Sequence, residues 1–269
     1  LTVPGNNIYA FGIGPKAKSI PRDAIQFLSK NDVKGRIFNS YPYGGYIGWK
    51  LSENQVFIDG RVNHLFPPDF HEKYFRIIGE PNQWEEAEKE WGFSIAILEY
   101  DRLSAGRHYP KHLTTNNSWA PVFWGADSII YLKENIEHSK TINKFSFKSV
   151  RTALYDFNYI NQINKNKIQT EVIDQFEHDI ALAPNNQEIR LAKAFYLYGK
   201  NRKYFQSEIL KEIDICLNLE PDMAIEHSAK GIILLGMGDK LGAEKNAKKA
   251  LELDPYDESA LQILKIVQR

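Results

Sequence analysis

The residues with chemical potential concentrate in one stretch, 35–61, which runs G-R-I-F-N-S-Y-P-Y-G-G-Y-I-G-W-K-L-S-E-N-Q-V-F-I-D-G-R. Asn39 ends a short candidate strand at 35–39, and Asp59 and Arg61 follow a second at 55–58. An exposed Asp–Arg pair contributes only about 0–1 kcal/mol, so stability alone gives little reason for it. Two readings stay open. Asp59-Gly60 forms a turn with Arg61 in solvent, or Asn39, Asp59 and Arg61 form a polar site at the C-terminal end of the sheet, the edge where ligands settle in open α/β folds. Between the strands, a short helix carries Gly44, Gly45 and Gly48. Each interior glycine costs about 0.8–1 kcal/mol relative to alanine, so something offsets them. Close packing against a sheet would do so, with Gly45 as the expected contact. A ligand at the free N–H groups of the helix start would do so as well. Tyr43, Tyr46 and Trp49 recur every three residues and make one aromatic face. The expected ligand-binding residues are Asn39, Tyr43, Tyr46, Asp59 and Arg61, with Gly45 and Trp49 structural.

Other constellations carry less. The order strand, glycines, helix, strand, acid imitates a dinucleotide fingerprint, but the glycines read G-G-x-x-G and Asp59 follows too soon. His108 and His112 have helical metal spacing, yet Pro110 lies between them and no third ligand is adjacent. There is no G-x-S-x-G, no P-loop and no Cys–His arrangement, and Cys216 is the only cysteine. No catalytic residue, metal or cofactor is expected. Asn116-Asn117-Ser118 is formally a glycosylation sequon, and residues 85–90 are most simply a solvated helix face. Lys+Arg and Asp+Glu both number 34, and the balance holds on either side of residue 140, so no basic surface for nucleic acid is expected. The longest apolar runs, 91–98 and 232–238, are far short of the ~20 residues that span a bilayer.

The elements that would position these residues fall into two classes. All five tryptophans precede residue 140. Helical patterns there at 21–29, 69–78, 82–91 and 101–112 alternate with strands at 35–39, 55–58 and 94–98, and 121–124 with 128–132 reads as a hairpin. Helices between strands predict an α/β domain over 1–140, a mainly parallel mixed sheet with a final edge hairpin, and its tryptophans in or near the core. Residues 138–148 are the expected connector. Beyond it the prolines Pro184, Pro221 and Pro255 stand 37 and then 34 residues apart. The second interval is the ~34-residue period of a tetratricopeptide repeat. Residues 224–255 fit that repeat well, with Gly231 at a close helix approach and Ala243 and Ala250 as small contacts. Residues 185–221 fit more loosely, with Ala194 and Cys216 in the small positions, and 148–184 most loosely, with Phe176 at an aromatic one. The expectation is an all-α repeat domain over 141–269: three helix pairs and a cap helix at 258–267. A spacer, a dimerisation surface and a peptide-binding groove are all open to such a domain.

The motif G-R-I-F-N, then Y-G-G-Y-I-x-W, then V-F-I-D-G-R resembles the soluble C-terminal domain of bacterial multi-pass membrane proteins related to C-type glycosyltransferases. The likeness extends to W-G-F-S-I-A-I-L and W-A-P-V-F-W-G-A-D-S-I-I-Y-L-K and covers about residues 8–133. Such chains often end in tetratricopeptide repeats. More distantly, Tyr43, Gly44, Tyr46 and Ile47 are similar to part of the W-W-D-Y-G-Y-x-I motif of the oligosaccharyltransferase catalytic subunit, without its tryptophans and aspartate.

The resemblance implies a non-catalytic, extracytoplasmic accessory or binding region, tethered to the membrane through a preceding segment. A chain opening on Leu1 rather than Met fits a piece of a longer protein. A protein or peptide partner is expected at the helical repeats, and a glycan or acceptor peptide at the α/β domain. The alternative is a stand-alone enzyme, or a nucleotide- or sugar-binding α/β domain, with its site at Asn39, Asp59 and Arg61.

Overall fold

The computed structural model describes residues 20–51, 56–61, 67, 69–99, 110–114, 116–125, 128–150, 165 and 169–268. The chain divides into two compact units, one spanning 10–154 and one holding the helices beyond 155.

The first unit is built on a four-stranded sheet. Its elements are α1 (Arg22–Lys30), β1 (Arg36–Asn39), α2 (Gly44–Lys50), α3 (Phe70–Gly79), α4 (Pro81–Trp91), β2 (Phe93–Glu99), β3 (Trp119–Trp124), β4 (Ser128–Lys133) and α5 (Ser139–Phe145). The strand order is β1-β2-β4-β3. β1 pairs parallel to β2, while β4 runs antiparallel to both β2 and β3. The sheet is therefore mixed, but antiparallel pairing outweighs parallel among the described strands. The reason is that β4, the second strand of the hairpin, docks directly on β2 and leaves β3 as the edge. Pro121 sits on that edge beside a register shift, where a missing N–H costs no ladder bond. The strand expected at 55–58 is not formed: Gln55 lies outside the described residues, and 56–58 join no ladder. The expected helix at 101–112 falls mostly on residues outside the description, and Lys111–Thr114 is a 3-10 turn.

Both faces of the sheet are covered, which explains why Ile95, Ala96, Ile97 and Leu98 form an uninterrupted buried run. On one face Ile37, Ile95, Ile97, Ile130 and Leu132 pack with Ala24, Ile25 and Leu28 of α1, Ile47 of α2 and Ile142 of α5. On the other, Phe38 packs against Tyr74 of α3 and Trp84 of α4, with Phe93 and Trp119 completing an aromatic cluster. α4 has proline at its start and the left-handed Gly92 at its end (φ 64°), the asymmetry that favours a cleanly bounded helix. Residues 138–148 belong to this unit rather than serving as a bare connector. The buried His138 ring lies between the carbonyl oxygens of Lys34 and Lys133, and Phe147 N–H donates to Pro121 O at 2.9 Å.

The described part of the second unit is helical throughout, with no strand: α6 (Gln169–Leu182), α7 (Gln187–Asn201), α8 (Gln206–Leu219), α9 (Ala224–Met237), α10 (Lys240–Leu253) and α11 (Glu258–Val267). Caps fix the boundaries. Asn186, Asp239 and Asp257 accept from backbone N–H groups three residues on, and Gly238 ends α9 at φ 91°. Helices pack as antiparallel neighbours on small residues: Ala243, Ala247 and Ala250 of α10 are fully buried, with Ala260 and Ile263 of α11 beside them. Gly231 is a true close approach, since a Cβ there would lie 2.9 Å from Ile263 Cδ1 and 3.4 Å from Ala243 O. Ala194, Cys216 and Phe176 are buried where the repeat requires them. Of the pair expected over 148–184, α6 is described, and the residues expected to form its partner lie mostly outside the described ones.

Candidate functional site

β1 ends on Asn39, and the chain turns at once into a 3-10 turn and α2, so the candidate residues from Asn39 onward start at the C-terminal end of a buried strand. Asn39 is fully buried. Its amide N–H₂ donates to Ser40 O at 2.9 Å and Ile58 O at 2.8 Å, and its Oδ1 accepts from Phe57 N at 2.9 Å. These bonds make its side chain a bracket that replaces a strand ladder for residues 57–58. Gly44 completes the contact, because a Cβ there would stand 2.0 Å from Ile58 O. Gly45 is different: it is exposed, and a Cβ there would meet nothing within 4 Å. The expected packing glycine is thus Gly44, one residue earlier. The helix turns Gly44 toward the 58–59 backbone and Gly45 toward water.

Asp59 is 3% exposed and directs its carboxylate at Arg61. Oδ1 accepts from Arg61 N at 2.8 Å, and Oδ2 accepts from Nη2 at 2.5 Å. The side-chain hydrogen bond from Arg61 is the main cause holding the Asp59 carboxyl below its usual range, with burial opposing it. The pair is thus both a turn and an ion pair, with the Arg61 side chain two-thirds exposed. Asn39 and Asp59 are drawn together through Ile58, but the described bonds of Asn39 and Asp59 are made within the chain. Nearby, burial raises the Tyr74 phenol, whose oxygen accepts from Tyr41 N at 3.0 Å.

The aromatic trio does not share one environment. Tyr43 lies in the core, Tyr46 is half-buried against it, and Trp49 is 70% exposed. Trp84, Trp119 and Trp124 are buried as expected and Trp91 is half-buried, so Trp49 is the exception. At the end of a seven-residue helix its position faces α1 instead of the sheet. There, between α1 and α2, a groove of about 540 Å³ is lined by Arg22, Ile25, Gln26, Tyr46, Trp49 and Lys50. Tyr46 and Trp49 meet edge-to-face at 5.8 Å, and Lys50 Nζ lies 3.7 Å from the Trp49 ring centroid. Sequence reasoning chose Tyr46 but missed Arg22 and Gln26. Only packing of α1 beside α2 brings them to it.

Of the two histidines with helical metal spacing, only His112 is described. His108 lies outside the described residues, and burial pulls the His112 imidazole down to about 4, with its ring 5.3 Å from Trp84. In the second unit, Glu177, Glu208 and Glu212 converge, but Lys193 Nζ occupies their centre at 2.5, 2.7 and 3.0 Å. Burial opposes that charge, and the three carboxylates more than offset it, raising the Lys193 ammonium above its ordinary value.

The fold is a small mixed-sheet α/β unit followed by a run of helices. The chain has similarity to a solved structure titled "First TPR of Spaghetti (RPAP3) bound to HSP90 peptide SRMEEVD", at 18% identity over 40% of this chain and 83% of that chain, with a TM-score of 0.35. No family model and no curated protein matches the chain.

Proposed function

We propose that the chain is a binding region whose helical hairpins form a protein–protein interaction surface, within an accessory domain of a membrane glycosyltransferase-like protein. The observation that carries the first part is apolar exposure at the end of the array. Leu241 is 81% exposed, Tyr256 86%, and Leu261 and Ile266 50% each. Large apolar side chains left in water on consecutive elements are what association would cover. The alanine-rich contacts between α9, α10 and α11 are already satisfied, so these side chains are surplus to the fold.

The glycosyltransferase-like context and extracytoplasmic location are supported by the resemblance across 35–61 and the β3–β4 hairpin. No described helix is long and apolar enough to cross a membrane. In this reading the anchor is a further part of a longer protein.

Photo-crosslinking side chains placed at Leu241 and Tyr256 of the full-length protein, in the cells that make it, test the interaction. The expected result is one discrete adduct from each and none from Lys249, which lies in a solvated ion pair with Glu252. Equal labelling at all three positions, or none, overturns it. Protease added to intact cells stripped of their wall tests the location: digestion without lysis supports it, and protection until lysis refutes it.

A further inference from the structure

From the α1–α2 groove we infer that the α/β unit carries a second, separate binding site, for an acidic peptide segment that inserts an apolar side chain beside Trp49. The site is independent of the helical hairpins. Its floor is apolar and firm: Ile25 is buried in α1, and Tyr46 packs on the sheet core while holding the Trp49 ring edge-to-face at 5.8 Å. Trp49 itself is 70% exposed, although an indole is among the largest apolar surfaces a chain can bury and recurs at the centres of interfaces. At about 540 Å³ the groove has room for a few side chains.

Charge decides the occupant. The ionised side chains lining the groove are Arg22 and Lys50, both cationic, in a chain whose net charge is zero. Neither meets a carboxylate among the described residues; Lys50 instead rests on the Trp49 ring at 3.7 Å. A carboxylate would draw that ammonium off the ring and free the face for contact. Two cations lining one apolar groove suit a short peptide that carries acids on either side of an apolar residue. A nucleic acid or polyanionic glycan asks for a longer basic stripe. A neutral glycan asks for several planar polar groups, and the groove offers only Gln26 besides the charged Arg22.

The test is selection of a random heptapeptide display library on the whole chain, with counterselection on Trp49→Ala. Trp49 is exposed, so that variant keeps the wild-type melting temperature, which is checked first. The expected outcome is enrichment of peptides with Asp or Glu flanking Leu, Ile, Phe or Trp. Their affinity should fall at least about tenfold in Trp49→Ala, and also in Arg22→Glu and Lys50→Glu, and weaken with added salt. Enrichment of neutral or basic peptides, binding indifferent to Trp49→Ala, or no enrichment overturns the inference. A hexagalacturonate titration that shifts the Trp49 indole resonance while acidic peptides do not also overturns it, in favour of an acidic glycan. None of these outcomes bears on crosslinking at Leu241 and Tyr256, so the two readings fail separately.

Discussion

Gly44 and Ile58 stand so close that a Cβ on the glycine would fall 2.0 Å from the isoleucine carbonyl oxygen. α2 therefore rests directly on a backbone segment fourteen residues away in the chain, and only glycine permits it. The same carbonyl accepts from Asn39 Nδ2 at 2.8 Å.

Gly44→Ala forces this contact apart and should destabilise the first unit by about 1–3 kcal/mol or more, as overpacking does. Gly45→Ala enters open space on a helix and should be neutral, or stabilising by about 0.4–1 kcal/mol. Urea midpoints of the two variants check the contrast. A larger loss at Gly45 would contradict the geometry.

Asn39→Ala removes the bracket and leaves buried backbone groups of residues 57–58 without a partner, at a cost of about 2–4 kcal/mol. Asn39→Asp keeps the acceptor but sets a carboxylate against two carbonyl oxygens. Its deficit relative to wild type should shrink as pH falls and the carboxyl gains a proton to donate. Chemical denaturation at pH 7 and pH 4 reads this directly, and a deficit that grows in acid would rule it out.

For Asp59 the pKa shift is downward instead, and it is the wild type that loses stability in acid. Its folded carboxyl is held below the unfolded value of about 4 by Arg61. The stability this lends is complete above the unfolded value and is lost as pH falls through the folded one. Asp59→Asn should therefore be less stable than wild type at pH 7, with the gap closing below about pH 4. A gap independent of pH would show that the Arg61 contact contributes nothing through charge.

Lys193 is 2% exposed and ties α6, α7 and α8 through Glu177, Glu208 and Glu212, while Arg190 Nη1 also donates to Glu212 at 2.6 Å. Lys193→Met removes the ammonium and leaves converging carboxylates, for a loss of about 3–5 kcal/mol. The exposed Lys230–Asp214 pair is a control, and breaking it should change stability by at most about 1 kcal/mol. Thermal melts of the two variants separate the cases. Similar small shifts would mean that the buried network is dispensable.

What the sequence determined by itself was local or periodic. The proline spacing and the small residues Gly231, Ala243 and Ala250 defined the helical hairpins, because each repeat meets only its neighbours and its contacts recur at fixed intervals. Strand and helix positions in the first unit were largely legible for the same reason: capping and alternation act within a few residues. The tertiary structure alone decided the rest. β4 lies between β2 and β3, a matter of long-range pairing that alternation does not encode. Residues 57–58 are held by a side chain instead of a ladder, so strand-like residues form no strand. Within one aromatic trio, Tyr43 is buried and Trp49 exposed, because Tyr43 lies in the turn packed into the sheet core while Trp49 stands near the far end of a seven-residue helix. Spacing places residues on a helix face, but what that face meets is settled by elements distant in the chain.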